Sequence, residues 1–202
     1  MVENEDAPLR ECSAMTPELG SRRVSEIQAR EARPDDAVGM ASVYVAAAQG
    51  AWGHIFGASN LLLLEPPVER LRARICAMPP HENVLVAEAN GTVRGFAIVR
   101  PSADEDSNPV RDGELDMIYT DPDFWGQGIG RTLLAAAVDA LGARGFQEAT
   151  LWTAEENLRP RHVYEAAGWK RDGVSRERSW RGVRFRELRY RMVLDSVTAG
   201  QE

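Results

Sequence analysis

Three glycines at alternate positions, Gly126, Gly128 and Gly130, stand between a β-rich run that ends at Thr120 and a helix-forming stretch that reaches Ala143. Glycine has no Cβ, so a backbone built with it can approach a ligand closely and turn through positive φ. A helix start adds several unpaired N–H groups and the positive end of a dipole. Together they make a seat for a phosphate or diphosphate. The segment Trp125, Gly126, Gln127, Gly128, Ile129, Gly130 and Arg131 is therefore read as the cradle of a nucleotide-type cofactor. Two other phosphate loops do not fit. A dinucleotide fingerprint needs Gly-x-Gly-x-x-Gly, which no register of these glycines supplies. A P-loop ends Gly-Lys-Ser/Thr, whereas this loop closes Gly130-Arg131-Thr132.

Upstream of the loop, Asp112, Glu114 and Asp116 fall on one face of a strand, because side chains alternate with a period of two. Trp52, His54 and Phe56 could wall a pocket for an amine, partly through cation–π attraction, or could equally anchor an irregular loop. The three histidines, His54, His81 and His162, have no metal-ligand spacing, so no metal is expected.

The elements that must hold these groups can be read from pattern. Val24 to Arg30 alternates like a strand, and Arg33-Pro-Asp-Asp36 leads into a helix through Met40, Val43, Tyr44 and Ala47. Ala51 to Glu65 reads as irregular, and Pro66-Pro67 opens a second helix with Val68, Leu71 and Ile75. Strands over 83–88 and 92–100 flank the turn Ala89-Asn90-Gly91. A strand over 114–120, the helix 128–143, a strand over 149–153 and a short helix 158–167 capped by Gly168 follow, and strands near 173–180 and 183–194 close the order. The 202 residues suit one domain over 23–195, with a polar flexible tail at 1–22 and a short one at 196–202. A net charge of −7 argues against nucleic-acid partners. No apolar run approaches a membrane span, the N-terminus has no secretory core, and two cysteines make no disulfide framework; a cytoplasmic protein is expected. Eight arginines between Arg171 and Arg191 read first as a solvated strand face, and alternatively as a surface for an acidic acceptor or partner.

The loop resembles the acetyl-CoA motif of the GNAT N-acetyltransferase superfamily, Val-x-Pro-x-x-Gln/Arg-x-x-Gly-x-Gly/Ala. Thr120, Pro122, Gly128 and Gly130 match it, while Trp125 occupies the Gln/Arg position. A second stretch, from Asn157 through Tyr164 to Gly168-Trp169, is similar to the family's Asn-x-x-Ala-x-x-x-Tyr-x-x-x-Gly-Phe, with Pro160 in place of the small residue. The resemblance covers roughly residues 24 to 194. It implies an α/β fold with a mixed, mostly antiparallel sheet whose fourth and fifth strands splay apart between flanking helices. It also implies acetyl-CoA as co-substrate, bound by Ile118, Tyr119 and Thr120 on the splayed strand, by the loop from Trp125 to Arg131, and by Asn157 and Tyr164.

For such an enzyme two protons must move. The acceptor ammonium has to lose one, and the departing sulfur has to be stabilised by another. Tyr164, with an ordinary pKa of about 10, can donate to the sulfur. Glu114, four residues before Ile118 where family members carry a catalytic glutamate, can accept through water, with Asp116 or bulk solvent as the alternatives. The Ile118 N–H would bind the thioester oxygen. The expected activity is direct acetyl transfer to a primary amine of a small molecule or peptide. A non-catalytic CoA-binding sensor and a longer-chain acyltransferase are the rival readings. Dimers are common in the superfamily.

Overall fold

The structure is a computed structural model that describes residues 26–194; the expected tails at 1–22 and 196–202, and the first residues of the expected opening strand, lie outside the described residues. The strands are β1 (Ile27–Glu31), β2 (Asn83–Ala89), β3 (Thr92–Pro101), β4 (Asp112–Thr120), β5 (Glu148–Ala154), β6 (Lys170–Trp180) and β7 (Val183–Val193). They form one sheet in the order β1-β2-β3-β4-β5-β7-β6. Neighbours are antiparallel except β4 and β5, which run parallel. The helices are α1 (Ala37–Phe56), α2 (Ala58–Leu62), α3 (Val68–Cys76), α4 (Ile129–Ala143) and α5 (Leu158–Ala166).

Each face of the sheet carries a core. On one face α4 buries Leu133, Leu134, Ala137 and Leu141 against Leu85, Ala97, Val99 and Leu115. Two strand glycines set that contact. A Cβ on Gly95 would stand 2.7 Å from Leu133 Cδ1, and one on Gly113 would stand 2.5 Å from Leu141 Cδ2. Any side chain there would lift α4 off the sheet. On the other face α1 and α3 bury Met40, Val43, Leu71 and Ile75 against Val84, Val86, Phe96 and Ile98. The Asn90-Gly91 turn has positive φ at both residues, 52° and 71°, the geometry a two-residue hairpin requires.

The stretch after Ala51 differs from expectation. α1 continues through Gly50 and Gly53 to Phe56, and α2 follows at once. Glycine lowers helix propensity by about 1 kcal/mol each, but packing outweighs it here. Gly50 lies against the Gly-rich loop, where a Cβ would stand 2.9 Å from Pro122 Cγ, so its bareness is what lets α1 close on that loop. Gly57, at φ 78°, then ends the helix.

β4 also departs from simple alternation. A register irregularity between Ile98 and Val99 sets Val99 opposite Leu115 and Ile98 opposite Met117. Leu115 therefore packs in the α4 core while Met117, two residues on, packs in the opposite core. This bulge adds an unpaired residue at Asp116 and turns the strand. Beyond it the expected splay is present: β4 pairs with β5 only over Asp112–Leu115, and Asp116–Thr120 has no partner strand on that side.

The arginines of the last hairpin divide: Arg171, Arg178, Arg181, Arg184 and Arg186 are exposed, while Arg176, Arg189 and Arg191 are buried or partly buried in ion pairs. Arg189 is 3% exposed and forms ion pairs with Asp106 at 2.6 Å, Asp172 at 2.6 Å and Asp104 at 3.2 Å, tying β7 to the β3–β4 connection and to β6. Arg191 pairs with Glu148 at 2.7 Å. The five exposed arginines fit the expected solvated face, and Arg189 and Arg191 depart from it. Arg189→Ala removes the buried cation that joins three carboxylates, although Asp104 keeps Arg176 at 3.8 Å and Asp172 keeps Arg191 at 3.4 Å, and is expected to cost about 1.5–3 kcal/mol of folding stability in chemical denaturation; a loss below about 0.5 kcal/mol would contradict this account of the hairpin.

Candidate active site

The splay opens a cleft of about 1530 Å³ that runs from the start of α4, through the gap between β4 and β5, to the end of α1 and the β6–β7 hairpin. At its first end lies the Gly-rich loop. Gly126 and Gly128 have φ of 82° and 98°, values that residues with a Cβ adopt at a cost. Asp121 starts the turn by accepting from the Asp123 N–H at 3.1 Å. Inside the turn, the Trp125 N–H donates to the Pro122 carbonyl at 3.1 Å and the Gln127 N–H to the Phe124 carbonyl at 3.4 Å. Those two amides therefore serve the loop itself. The N–H groups of Gly126 and Gly128 have no acceptor among the described residues. Those of Ile129, Gly130 and Arg131 precede the first intrahelical bond, Thr132 N–H to Gly128 C=O at 3.0 Å. Five donors and a helix N-terminus thus face one short concavity, which suits an anionic diphosphate.

Trp125 holds this loop to its surroundings. Its indole N–H donates to the Thr120 hydroxyl at 3.0 Å and carbonyl at 3.2 Å. The Arg159 guanidinium lies over its ring at 4.3 Å, joining the loop to α5 across the gap. A second bridge links His54 Nε2 and the Glu156 carbonyl at 3.2 Å, so α1 also reaches the β5–α5 connection.

In the middle of the cleft, Ile118 and Thr120 sit on the β4 segment that β5 leaves unpaired. Asn157 starts α5, and its side-chain amide makes no hydrogen bond among the described residues. Tyr164 is the one buried residue of α5, and its hydroxyl also makes no hydrogen bond within the described residues while lining the cleft. Burial, and the nearby Tyr190, push its phenol well above the usual tyrosine range, so it carries its proton at neutral pH. Tyr119, expected among the cofactor contacts, turns its ring the other way, edge-on to Tyr44 at 5.2 Å and Trp52 at 5.7 Å. Its backbone alone belongs to the splayed edge.

The carboxylates follow. Glu114 is buried and paired with Arg100 at 3.0 Å. Burial pushes its pKa above the ordinary glutamate range, the Arg100 charge opposes this, and the neighbouring Asp116 and Asp104 add to it. Asp116 pairs with Arg74 at 3.0 Å and Arg100 at 3.2 Å. Asp112, expected on the same face, is remote in function: it pairs with Arg111 at 2.9 Å, accepts from the Asn108 N–H at 2.9 Å and does not reach the cleft.

At the far end, Trp52, His54 and Phe56 line the cleft, on α1 and not on a loop. Sequence reasoning missed their companions Tyr44, Trp180 and Phe185. The signal available was an aromatic or aliphatic residue on each side of the Arg181-Gly182 turn in an otherwise arginine-rich hairpin. Among the described residues, no cluster of three or more His, Cys, Asp or Glu is placed to hold a metal ion, and no helix is long and apolar enough to cross a membrane.

Comparison with known proteins agrees with this geometry. Residues 59–169, more than half of the chain, match the model of the acetyltransferase (GNAT) family. Mycothiol acetyltransferase of Propionibacterium freudenreichii subsp. shermanii is 39% identical over 79 residues, which is 39% of this chain and 24% of that protein. The chain thus spans about a quarter of the length of that relative. The fold superposes on yncA from Salmonella typhimurium, solved with its cofactor acetyl-CoA, at TM-score 0.66 with 20% identity, over 87% of this chain and 98% of the other. It likewise superposes on PaiA N-acetyltransferase from Thermoplasma acidophilum, solved with coenzyme A, at TM-score 0.65 with 20% identity, over 81% and 98% of the two chains.

Proposed function

Because this chain belongs to the GNAT acetyltransferase family, we propose that it transfers an acetyl group from acetyl-CoA to a primary amine, by direct attack in a ternary complex. The observation that carries this reading is the continuous cleft, which joins a diphosphate-sized set of free amides to Tyr164, Glu114 and an aromatic pocket. The residues fit the co-substrate. The N–H groups of Gly126, Gly128, Ile129, Gly130 and Arg131 hold the diphosphate, and Trp125 and Gln127 hold the shape of the loop. Asn157 and the unpaired edge from Ile118 to Thr120 receive the pantetheine arm. When bound, acetyl-CoA supplies an acetyl carbon activated as a thioester.

The chain then contributes three things. The Ile118 N–H donates to the thioester oxygen as negative charge develops; one such donor is worth about 3 kcal/mol in a transition state. Glu114 takes the proton of the acceptor ammonium through water, freeing the nitrogen lone pair to attack. Tyr164 gives its proton to the sulfur as the carbon–sulfur bond breaks, and the second proton of the attacking nitrogen returns to the phenol, leaving a neutral amide and a thiol. The aromatic end of the cleft excludes water and orients the amine.

Glu114→Gln tests the base. With the carboxylate present, the rate levels off once Glu114 is ionised, because the group removes the acceptor's proton. Without it, only the acceptor that is already neutral reacts, so the rate climbs about tenfold per pH unit up to the amine's own pKa. The variant is therefore expected to show a steeper profile of kcat/KM below that pKa; an unchanged profile removes Glu114 as base and leaves Asp116 or solvent.

The reading as a whole is tested by thiol release from acetyl-CoA with a panel of primary amines, including the acceptor of the mycothiol acetyltransferases. Turnover on at least one is expected, with propionyl- and succinyl-CoA slower. Tight CoA binding without turnover on any amine would place the chain among non-catalytic CoA-binding modules.

A further inference from the structure

The far end of the cleft carries information about the acceptor. Six aromatic rings from four elements wall it: Tyr44, Trp52 and Phe56 on α1, Tyr119 on β4, Trp180 on β6 and Phe185 on β7. They meet in one chain of contacts, edge to face except for the tilted Phe56–Trp180 pair. Tyr44, Trp52 and Tyr119 lie 5.2–6.5 Å apart, Trp52 reaches Phe56 at 5.8 Å, and Phe56 reaches Trp180 at 4.8 Å and Phe185 at 5.0 Å. All but Phe56 are half-buried, so their remaining surface faces the cleft. Tyr44 and Tyr119 also pack against the α1-side core, while Trp52, Phe56, Trp180 and Phe185 cluster with Leu61 of α2; the tip of the last hairpin closes this end, where Arg181 donates to the carbonyls of Asn60 and Leu63 at 3.3 Å each.

Charge on the same surface points the same way. Five carboxylates line the cleft, and four are already neutralised by arginine. Glu114 is paired with Arg100, Asp116 with Arg74 and Arg100, Asp104 with Arg189, and Glu187 with Arg176 at 2.6 Å. The fifth, Glu156, is exposed and makes no ion pair among the described residues; its carbonyl meets His54 Nε2 at 3.2 Å, beside the aromatic wall. Arg70 lines the same cleft without an ion pair among the described residues. A site for a polycation would need several uncompensated carboxylates, and here four of the five are satisfied while Arg70 stands without an ion pair among the described residues. Burying an aromatic body of roughly 150–250 Å² against such a wall is instead strongly favourable.

We infer that the acceptor is a monoamine with an aromatic or large apolar body, and not a polyamine, aminoglycoside or amino sugar. The inference rests on the acetyltransferase reading and deepens it by naming the substrate class. The amine nitrogen sits toward Glu114 and the β4–β5 gap, and the apolar body lies among Trp52, Tyr119, Trp180 and Phe185.

The test is a matched panel with the full chain and acetyl-CoA, read by thiol release: 2-phenylethylamine, tryptamine and octylamine against spermidine, kanamycin and glucosamine. The expected result is kcat/KM at least about 100-fold higher for the first set than for the second. Phe185→Leu and Trp180→Leu keep apolar volume in the hairpin and should lower kcat/KM for tryptamine by about tenfold, with acetyl-CoA affinity unchanged by calorimetry. Preferred turnover of spermidine, kanamycin or glucosamine overturns the inference while leaving the acetyltransferase reading intact. Acetyl-CoA binding with no turnover of any of the three aromatic or apolar amines also overturns it. Failure to bind acetyl-CoA at all is the separate signature that the underlying reading is wrong.

Discussion

Tyr164→Phe is expected to lower kcat by about 100-fold or more while leaving acetyl-CoA affinity within about threefold of the original. The substitution removes one oxygen and nothing else. The Tyr164 hydroxyl makes no hydrogen bond within the described residues, so its loss orphans no buried partner. The ring keeps its packing in the α4-side core. The adjacent network, in which the Tyr190 hydroxyl donates to Glu165 at 2.7 Å and accepts from Arg161 at 3.1 Å, does not include it. Burial holds the phenol protonated across the neutral range, so the donor is present wherever the base is ionised. Single-turnover and steady-state thiol release separate chemistry from binding. A variant that turns over at the original rate would show that Tyr164 is only a packed aromatic.

Gly128→Val should act on the other half of the site. At φ 98° a β-branched residue is strained by about 1–3 kcal/mol. The strain falls on the residue that caps α4 and whose carbonyl accepts the first intrahelical bond. The free amides of Ile129, Gly130 and Arg131 are aimed by that geometry, so the diphosphate seat is lost with it. We expect acetyl-CoA affinity to fall by about 100-fold or more, the equivalent of losing two charge-assisted hydrogen bonds. Gly130→Ala is the internal control. Gly130 is not at positive φ, and a Cβ there meets only Thr120 Cγ2 at 3.7 Å, an ordinary contact. Its affinity should stay within about threefold. Equal losses in the two variants would mean that bulk in the loop matters and backbone conformation does not.

What could be read before the structure, and what could not, divides along physical lines. The Gly-rich loop and α4 were legible because each is a local pattern, glycine spacing and a helical period; Glu114, Asn157 and Tyr164, which line the same cleft, were singled out by the resemblance to a known family. The continuation of α1 to Phe56 was not. Gly50 and Gly53 read as breakers, and only the close approach of Pro122 shows why a bare helix position is favoured there. The bulge at Asp116 was equally hidden, since period-two reasoning assumes an unbroken strand; without it Leu115 and Met117 would share a face. The same assumption grouped Asp112 with Glu114 and Asp116, whereas Asp112 binds the β3–β4 connection. The aromatic wall and the burial of Arg189 depend on segments more than 80 residues apart, such as Arg189 with Asp104 and Asp106, which no local pattern encodes.

The central claim is that backbone amides between Gly126 and Arg131 grip the diphosphate of coenzyme A while its arm enters the gap beside Ile118. Calorimetric titration of the full chain with CoA and, in parallel, with pantetheine, which has the same arm but no diphosphate, tests it most directly. A dissociation constant for CoA on the order of 1–100 μM is expected, with pantetheine at least about 100-fold weaker. No heat of binding with CoA, or equal affinity for both compounds, would contradict the account.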